Sequence, residues 1–505
     1  MIESFGHFAG AFGQLLGPST LVIVAWAMLL GIVIGALPGL TATMGVALMT
    51  TLTFTMDHNQ AILVLICIYV GAIYGGSRSA ILLNIPGTPA SACSTLDGYP
   101  LARQGLAGRA MGISTTGSWI GTLIGALCVA TLTPLLANLA LTFQSYEFFW
   151  IAVFGIVIAG TLSGGDALKG YIAGFIGLWI GTIGNEPYYN YPRFAFGFTD
   201  LTGGIGLLPA LVGTFGMAEV LMAMRGPAAK AISNKLDSVI PRVKDVVQYW
   251  RTILRSGVIG TFIGILPGLG EDIAAWSSYA AARRGSKEKQ KFGKGSVEGL
   301  MAAETGESAC VPGAIIPVLT LAVPGSAPAA VLMAALMIHD INPGPMLMIN
   351  TPEFLYQIVA MLVIADIAKL FYGLFLVRPL LWILLVPRER LMPVVFVLCC
   401  VGAFAITSRI FDIYVMVFFG FLGFVLRELK FPMAPMILGL VLGELFESNL
   451  TRGLKLSDGS LAPFFTRPIA GTLAAITIAS IIWSIPAAQN AVRSALRRMI
   501  GKAPA

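Results

Sequence analysis

Long apolar runs separated by short polar loops recur along the whole chain. Such runs occupy residues 20–37, 61–74, 148–160, 353–365 and 468–486. An apolar run of about 20 residues can cross the hydrocarbon core of a bilayer as an α-helix. The pattern therefore predicts an all-α polytopic membrane protein.

Pro-Gly pairs interrupt four of the apolar segments, at 38–39, 86–87, 267–268 and 324–325. A helix broken inside a bilayer leaves backbone N–H and C=O groups without water to bind. Free carbonyls can coordinate a cation, and helix N-termini attract an anion. We expect the breaks to bind ions; the alternative is that Pro and Gly only kink packed helices.

The composition supports a membrane protein and narrows its partners. Of 505 residues, 56% are hydrophobic and 11% are charged, and the net charge is +7. The basic residues lie in loops without interleaved aromatic residues, so we expect no nucleic-acid partner. The six cysteines lack CxxC spacing and the three histidines lie far apart, so we expect buried free thiols and no metal site.

The distribution of Lys and Arg predicts how the chain is oriented. The first basic residue is Arg78, so the N-terminus and the loop 55–60 are expected outside, whereas the basic loops 225–255 and 283–294 are expected inside. The broken segment 20–54 then enters the membrane from outside and returns. A second hairpin, between the two basic loops, does the same from inside.

The two hairpins have similar sequences. "GIVIGALPGL" at 31–40 and "GTFIGILPGL" at 260–269 share their glycines and the Leu-Pro-Gly-Leu motif, and "NIPGTPAS" at 84–91 parallels "AVPGSAPA" at 322–329. The sequence thus predicts two inverted-topology repeats, each with a broken-helix hairpin and a second Pro-Gly-interrupted helix.

Each hairpin region is followed by about four further apolar spans. These are 110–135, 148–164, 168–184 and 203–224 in the first half, and 353–377, 391–406, 411–427 and 432–449 in the second. The predicted domains are a first repeat 1–224, a basic cytoplasmic linker 225–255, a second repeat 256–450, and a final transmembrane helix with a basic cytoplasmic tail, 451–505. The C-terminus is expected inside. The loop 450–467 is placed outside although it carries basic residues.

Paired broken helices in inverted repeats are typical of secondary transporters, whose site lies at the midplane between the copies. Polar and small residues near the breaks are the candidate substrate ligands: Thr41, Ser77, Arg78, Asn84, Gly87, Thr88, Ser91, Gly325 and Ser326. The candidate cation ligands include Gly39, Gly268 and Gly270.

Charged residues inside the apolar spans need a partner. Arg78 can bind a substrate carboxylate as a bidentate donor, or pair with Asp97 or Glu304. Asp366 and Lys369 lie three residues apart in one apolar span, and we expect them to pair.

The stretch "GGSRSAILLNIPGTPASACSTLDGYPLARQGLAGRA", both Leu-Pro-Gly hairpins and "LAVPGSAPAAVLMAALMIHDINPGPML" resemble the large permease subunit (TctA type) of the tripartite tricarboxylate transporters, over roughly residues 20–470. The resemblance implies a bacterial inner-membrane secondary transporter with elevator-like movement. It implies two partners, a small membrane subunit and a periplasmic solute-binding protein that delivers a carboxylate such as citrate. It also implies coupling to Na+ or H+, with no further cofactor.

The chain departs from the family pattern at two places. After Glu304, "ETGESACVPGA" has Glu307 and Ser308 where two Asn are usual, and Pro312 in place of a Gly. In "LPGLGEDIAAW", Glu271 adds a negative charge where a small residue is typical. Because a glutamate offers charge where an asparagine offers neutral groups, Glu307 joins the candidate cation ligands. Our hypothesis is that Glu307 or Glu271 helps to bind a cation or a proton.

An intramembrane lipid- or isoprenoid-processing enzyme is the main alternative. Such an enzyme needs clustered acids or a nucleophile beside a base, and the apolar spans contain no H-E-x-x-H, G-x-S-x-G or D-x-x-x-D motif. The sequence also lacks GxxxxGK[ST], which excludes a fused ATP-driven motor. A channel would show rings of like charge or a carbonyl filter. We therefore expect a transporter and no enzyme.

Overall fold

The computed structural model describes residues 2–37, 39–162, 166–186, 190–224, 238–241, 243–376, 388–405 and 407–484. Parts of the sequence prediction fall outside these residues: Pro38 of the first break, residues 225–237 and Arg242 of the basic linker, the last residues of the predicted spans 148–164, 353–377 and 391–406, and the chain from residue 485 onward.

In the first half, the secondary structure of the described residues is helical apart from one antiparallel strand pair, β1 (Gly184–Asn185) with β2 (Pro192–Arg193). Its helices are α1 (Ile2–Gln14), α2 (Pro18–Ala36), α3 (Ala42–Leu52), α4 (His58–Leu83), α5 (Thr95–Arg103), α6 (Ala107–Ala140), α7 (Ser145–Leu162), α8 (Ala167–Gly181), α9 (Thr199–Thr202), α10 (Leu207–Leu211) and α11 (Ala218–Ala223). A 3-10 turn spans Ala90–Ala92, and a π-helical turn, Val212–Met217, joins α10 to α11.

The described second half is also helical. Its helices are α12 (Val243–Gln248), α13 (Trp250–Ile265), α14 (Gly270–Gly285), α15 (Val297–Leu321), α16 (Ala327–Ile338), α17 (Leu347–Asn350), α18 (Pro352–Phe375), α19 (Arg388–Ala405), α20 (Ile410–Glu428), α21 (Met433–Leu456), α22 (Pro463–Thr466) and α23 (Pro468–Ser484), with a 3-10 turn at Lys289–Lys291.

Within the described residues, seven helices are long and apolar enough to cross a membrane: α2, α4, α6, α7, α18, α20 and α21. Several others, including α3 and α16, are apolar but shorter. The prediction of an all-α polytopic membrane protein is confirmed.

Both predicted hairpins are observed as helix, break and helix. The chain leaves α2 at Leu37 (φ −79°, ψ 112°) and α13 at Leu266 (φ −80°, ψ 123°), so both helices end in the same extended conformation. Gly39 (φ 97°) and Gly268 (φ 76°) then adopt backbone angles that favour glycine.

The helices that follow the hairpins also end alike. α4 ends at Asn84 (φ 57°) and α15 ends at Ala322 (φ 55°), each in the left-handed conformation that commonly terminates a helix. The predicted Pro-Gly interruptions at 86–87 and 324–325 come directly after these two ends. Each half therefore has a second interrupted segment, as the sequence predicts.

The chain packs into two compact units. The first consists of 1–141 and 206–428, and the second of 142–205 and 429–505. Both hairpins and every candidate site residue belong to the first unit. In the second unit, Arg193 pairs with Glu447 (2.5 Å). The predicted repeat boundaries come from sequence similarity, whereas the two compact units come from packing. The units therefore do not test the boundaries, which stay a prediction.

Candidate functional site

The second hairpin break is tied to the loop that follows α15. The N–H of Gly268 donates to the carbonyl of Gly325 (2.9 Å). Ser326 begins α16, and its hydroxyl accepts the N–H of Ala329 (3.4 Å). A Cβ added at Gly270 would lie 3.8 Å from the Ser326 Cβ. Gly268, Gly270, Gly325 and Ser326 are thus brought together.

A hydrogen-bonded triad, Tyr69–Glu271–Ser326, joins this break to α4. The Tyr69 hydroxyl donates to the Glu271 carboxylate and lies 2.6 Å from the Ser326 hydroxyl. Tyr69, Glu271 and Ser326 are 0%, 6% and 1% exposed. The triad therefore links a helix of the first half to the hairpin of the second.

Two further acids, Glu304 and Glu307, are fully buried on α15. Ser94 donates to one oxygen of Glu304 (2.7 Å), and Ser77 donates to one oxygen of Glu307 (3.1 Å). The second carboxylate oxygen of each acid has no hydrogen-bond partner among the described residues.

The ion pairs found in the described part of the chain include none of these three glutamates. A buried carboxylate is costly unless a hydrogen bond, a cation or a proton compensates for the lost water. The free oxygens of Glu304 and Glu307 are consequently the positions in this region best suited to a cation or a proton.

Arg78 is 2% exposed, and its hydrogen-bond partners are uncharged groups. Its guanidinium donates to the Met111 carbonyl (3.4 Å), to the Thr115 hydroxyl (3.3 Å) and to the Ser114 hydroxyl. It also lies 4.1 Å from the centre of the Tyr74 ring. These contacts attach Arg78 to α6, in place of an ion pair with either acid considered from the sequence.

Asp97 binds backbone N–H groups and a tyrosine hydroxyl, instead of forming the ion pair with Arg78 that the sequence analysis considered. Its carboxylate accepts the N–H groups of Gly293 (2.8 Å), Gly295 (2.9 Å) and Ser296 (2.7 Å), and the hydroxyl of Tyr279 (2.9 Å). Asp97 therefore connects the segment that follows the Pro-Gly pair at 86–87 to α14 and to the loop after α14.

The first hairpin break has local hydrogen bonds. Thr41 begins α3, and its hydroxyl accepts the N–H of Met44 (3.2 Å). Asn84, the residue that ends α4, is exposed to solvent. Among the described residues, the candidates Thr41, Gly39 and Asn84 form no hydrogen bond with the triad, so the structure does not bring them into it.

The segment after α4 is folded on itself. The Ser91 hydroxyl accepts the N–H of Thr88 (3.2 Å) and donates to its carbonyl (2.8 Å), and both side chains are buried. The N–H of Gly87 donates to the carbonyl of Gly76 (3.3 Å). This places Gly87, Thr88 and Ser91 against the end of α4 that carries Ser77 and Arg78.

Two residues with direct contacts to the buried acids were not among the sequence candidates. These are Tyr69, which bonds to Glu271, and Ser94, which bonds to Glu304. Tyr69 had a usable signal, because a tyrosine inside a long apolar run generally needs a partner for its hydroxyl. Ser94 had none, since its partner lies far away in the sequence.

Comparison with known proteins gives consistent results. Residues 21–438 match the family model described as the Tripartite tricarboxylate transporter TctA family. The chain is 32% identical to the uncharacterized 52.8 kDa protein in the TAR-I ttuC' 3' region of Agrobacterium vitis, over 95% of this chain and 96% of that one.

A second relative, the uncharacterized protein in the TAR-II ttuC' 3' region of Agrobacterium vitis, is 31% identical over 45% of this chain and 93% of its own length. No solved structure matches the chain. Because the family model covers most of the chain and the first relative is similar over nearly its whole length, this multi-pass membrane protein belongs to the tripartite tricarboxylate transporter TctA family.

Proposed function

We propose that this chain is the permease subunit of a secondary transporter that takes up an organic carboxylate. A Na+ or H+ gradient drives the uptake. A periplasmic solute-binding protein delivers the carboxylate, and a small membrane subunit completes the complex in the bacterial inner membrane. Family membership supports the tripartite assembly.

The observation that carries the coupling proposal is the group of buried acids beside the broken helices. Among the described residues, no group forms a hydrogen bond with the second carboxylate oxygen of Glu304 or of Glu307. A downhill cation or proton that neutralises such an oxygen changes the charge of the site, and this charge change couples ion movement to substrate movement.

The helix ends at the two breaks suit the carboxylate. The N-termini of α3 and α16 carry the hydroxyls of Thr41 and Ser326, and helix N-termini attract anions. The buried hydroxyl of Thr88 lies beside the Pro-Gly pair at 86–87, whereas the Ser91 hydroxyl already donates to the Thr88 carbonyl (2.8 Å). Arg78 serves the substrate only if it leaves its contacts on α6, whereas the exposed Asn84 is the weakest of the candidates.

We also propose that the two halves are inverted repeats, with the N-terminus outside and the C-terminus inside. Equivalent contacts support the repeat. Gly87 donates to the Gly76 carbonyl, and Gly325 donates to the Ala314 carbonyl (3.4 Å). A hairpin core built from two such copies is suited to an elevator-like movement, because each copy presents one break to the site.

The test is uptake into liposomes that contain the full chain and the small membrane subunit. Radiolabelled citrate and a panel of other organic acids are supplied with the cognate binding protein, under an imposed Na+ or pH gradient and without ATP. We expect gradient-dependent uptake of at least one acid, and none without the binding protein. Uptake that needs no ion gradient would contradict the proposal, and so would conversion of a lipid in the same vesicles.

A further inference from the structure

We propose that, of the two glutamates singled out by the sequence, Glu307 exchanges the coupling ion, whereas Glu271 stays ionised as a positioning residue held by Tyr69 and Ser326. The inference rests on the proposed ion-coupled function and assigns its ion site. It predicts that only one of these two carboxylates exchanges the ion.

The two acids lie on different elements of the second half, Glu307 on α15 and Glu271 on α14. Glu307 precedes Gly325 by as many residues as Tyr69 precedes Gly87, so Glu307 and Tyr69 are matched positions on α15 and α4. Glu271 follows Gly268 by as many residues as Ala42 follows Gly39. The first half therefore has a tyrosine and an alanine at the positions where the second half has its two glutamates.

The surroundings of Glu271 favour a permanent negative charge. It lies in the first turn of α14, where the positive end of the helix dipole stabilises an anion. The Tyr69 hydroxyl donates to it, and the Ser326 hydroxyl lies 2.6 Å from the Tyr69 oxygen. Because Tyr69 donates its proton to Glu271, Ser326 donates to Tyr69, and the chain of donors ends at the carboxylate.

Other titratable groups lie near Glu271 on its own helix and on α15. Asp272 is its neighbour on α14, and Cys310 and Glu307 lie on α15. None of these groups supplies a positive charge. The neutral donors and the helix end are therefore what hold the Glu271 carboxylate in place.

The surroundings of Glu307 favour exchange. It lies in the interior of α15, away from either helix end, and its one hydrogen bond comes from Ser77. Glu304 lies one turn away on the same helix, and its like charge disfavours a second anion. The free oxygen of Glu307 is fully buried, which makes it able to take up a cation or a proton.

Two cations act on Glu307 from a distance. Arg78 on α4 and Lys369 on α18 are near enough to influence it electrostatically. Both are already bound elsewhere: Arg78 to hydroxyls and a carbonyl of α6, and Lys369 to Asp366. They lower the cost of the ionised state without occupying the free oxygen, which keeps exchange reversible.

The test measures ion binding to the purified full chain in lipid nanodiscs, without substrate. The melting temperature is followed against Na+, with choline at constant ionic strength, and separately against pH without Na+. We expect one of the two titrations of the wild type to raise the melting temperature with single-site saturation. Glu307→Gln should remove the dependence of the melting temperature on that ion. Glu271→Gln and Tyr69→Phe should lower the melting temperature measured without the ion but keep its dependence on the ion.

Glu353→Gln is the matched control, because Glu353 is exposed at the start of α18 and should behave as the wild type. Loss of the ion dependence in Glu271→Gln, or its persistence in Glu307→Gln, would overturn the assignment. A wild type that responds to neither Na+ nor pH would overturn it too. Since no carboxylate substrate is added in this assay, its results are independent of whether the uptake assay succeeds.

A double variant gives a stronger test. Tyr69→Glu with Glu271→Ala places a glutamate on α4 at the position matched to Glu307, removes the acid that Tyr69 contacts, and should create a second exchanging carboxylate. We expect its ion titration to require two ions, with a Hill coefficient of about 2 as the upper limit for two coupled sites. A folded double variant that still titrates with one ion contradicts the proposal.

Discussion

The ion pair between Asp366 and Lys369 illustrates what single residues reveal in this chain. Lys369 lies 2.6 Å from Asp366, and both are fully buried. Lys369 also donates to the Thr122 hydroxyl (2.8 Å) and the Ser118 carbonyl (3.1 Å) on α6. The spacing of the two charged residues predicts the pair, and the structure confirms it. The contacts with α6 were not predictable, because they join residues far apart in sequence.

Replacing one member of this ion pair should destabilise the protein more than replacing both members. Lys369→Met or Asp366→Leu alone leaves one buried charge uncompensated, which typically costs about 3–5 kcal/mol. The double variant removes both charges and should recover most of that loss. Chemical unfolding of the purified variants in lipid nanodiscs measures the difference. A double variant as unstable as the sum of the single ones would contradict this explanation.

The buried acids show a similar limit at the scale of residues. The sequence singles out Glu271 and Glu307 because they replace smaller or neutral residues, and both are buried beside candidate ligands. Their partners Tyr69 and Ser77 come from another helix. Because only the fold brings such pairs together, the two acids could be predicted from the sequence. Their hydrogen bonds, which give the two acids different proposed roles, could not.

At the scale of elements, hydropathy predicts most helices because lipid requires long apolar segments. The predicted span 168–184 is observed as Ala167–Gly181, and the predicted span 411–427 as Ile410–Glu428. The elements that were not predicted include α1, the strand pair, the π-helical turn at Val212–Met217 and several short helices such as α9 and α17. The π-helical turn and the strand pair are each too short to show a hydrophobic period in the sequence.

The hairpins depend on glycines that allow close helix contact. A Cβ at Gly35 of α2 would collide with the Ala72 carbonyl of α4, and a Cβ at Gly264 of α13 would collide with the Cys310 carbonyl of α15. Gly35→Ala and Gly264→Ala should each destabilise the protein by about 1–3 kcal/mol, the usual cost of overpacking. Melting temperatures in detergent provide the measurement.

Gly10→Ala is the control for these two variants, since nothing lies within 4 Å of a Cβ at Gly10 in α1. It should melt at or slightly above the wild-type temperature, because alanine favours a helix. If the hairpin variants melt like this control, close contact between these helices does not stabilise the fold.

At the scale of the whole molecule, the charge distribution predicts orientation, and the loop 450–467 is its weakest point. Arg467 in that loop lies 2.9 Å from Glu147. A paired arginine attracts a loop to the cytoplasm less than a free one, since the partner cancels its charge. The structure thus gives a physical reason for this departure. The orientation itself stays a prediction.

The account depends most on two halves of opposite orientation. His58→Cys and Lys289→Cys place exposed thiols after the first hairpin and after the second. Both are made with Cys128→Ser and Cys400→Ser, because those two native thiols are only partly buried whereas the other four are buried. A membrane-impermeant maleimide is then applied to intact cells and to inverted vesicles. The account predicts that position 58 reacts only in cells and position 289 only in inverted vesicles. Reaction of both positions from the same side would contradict it.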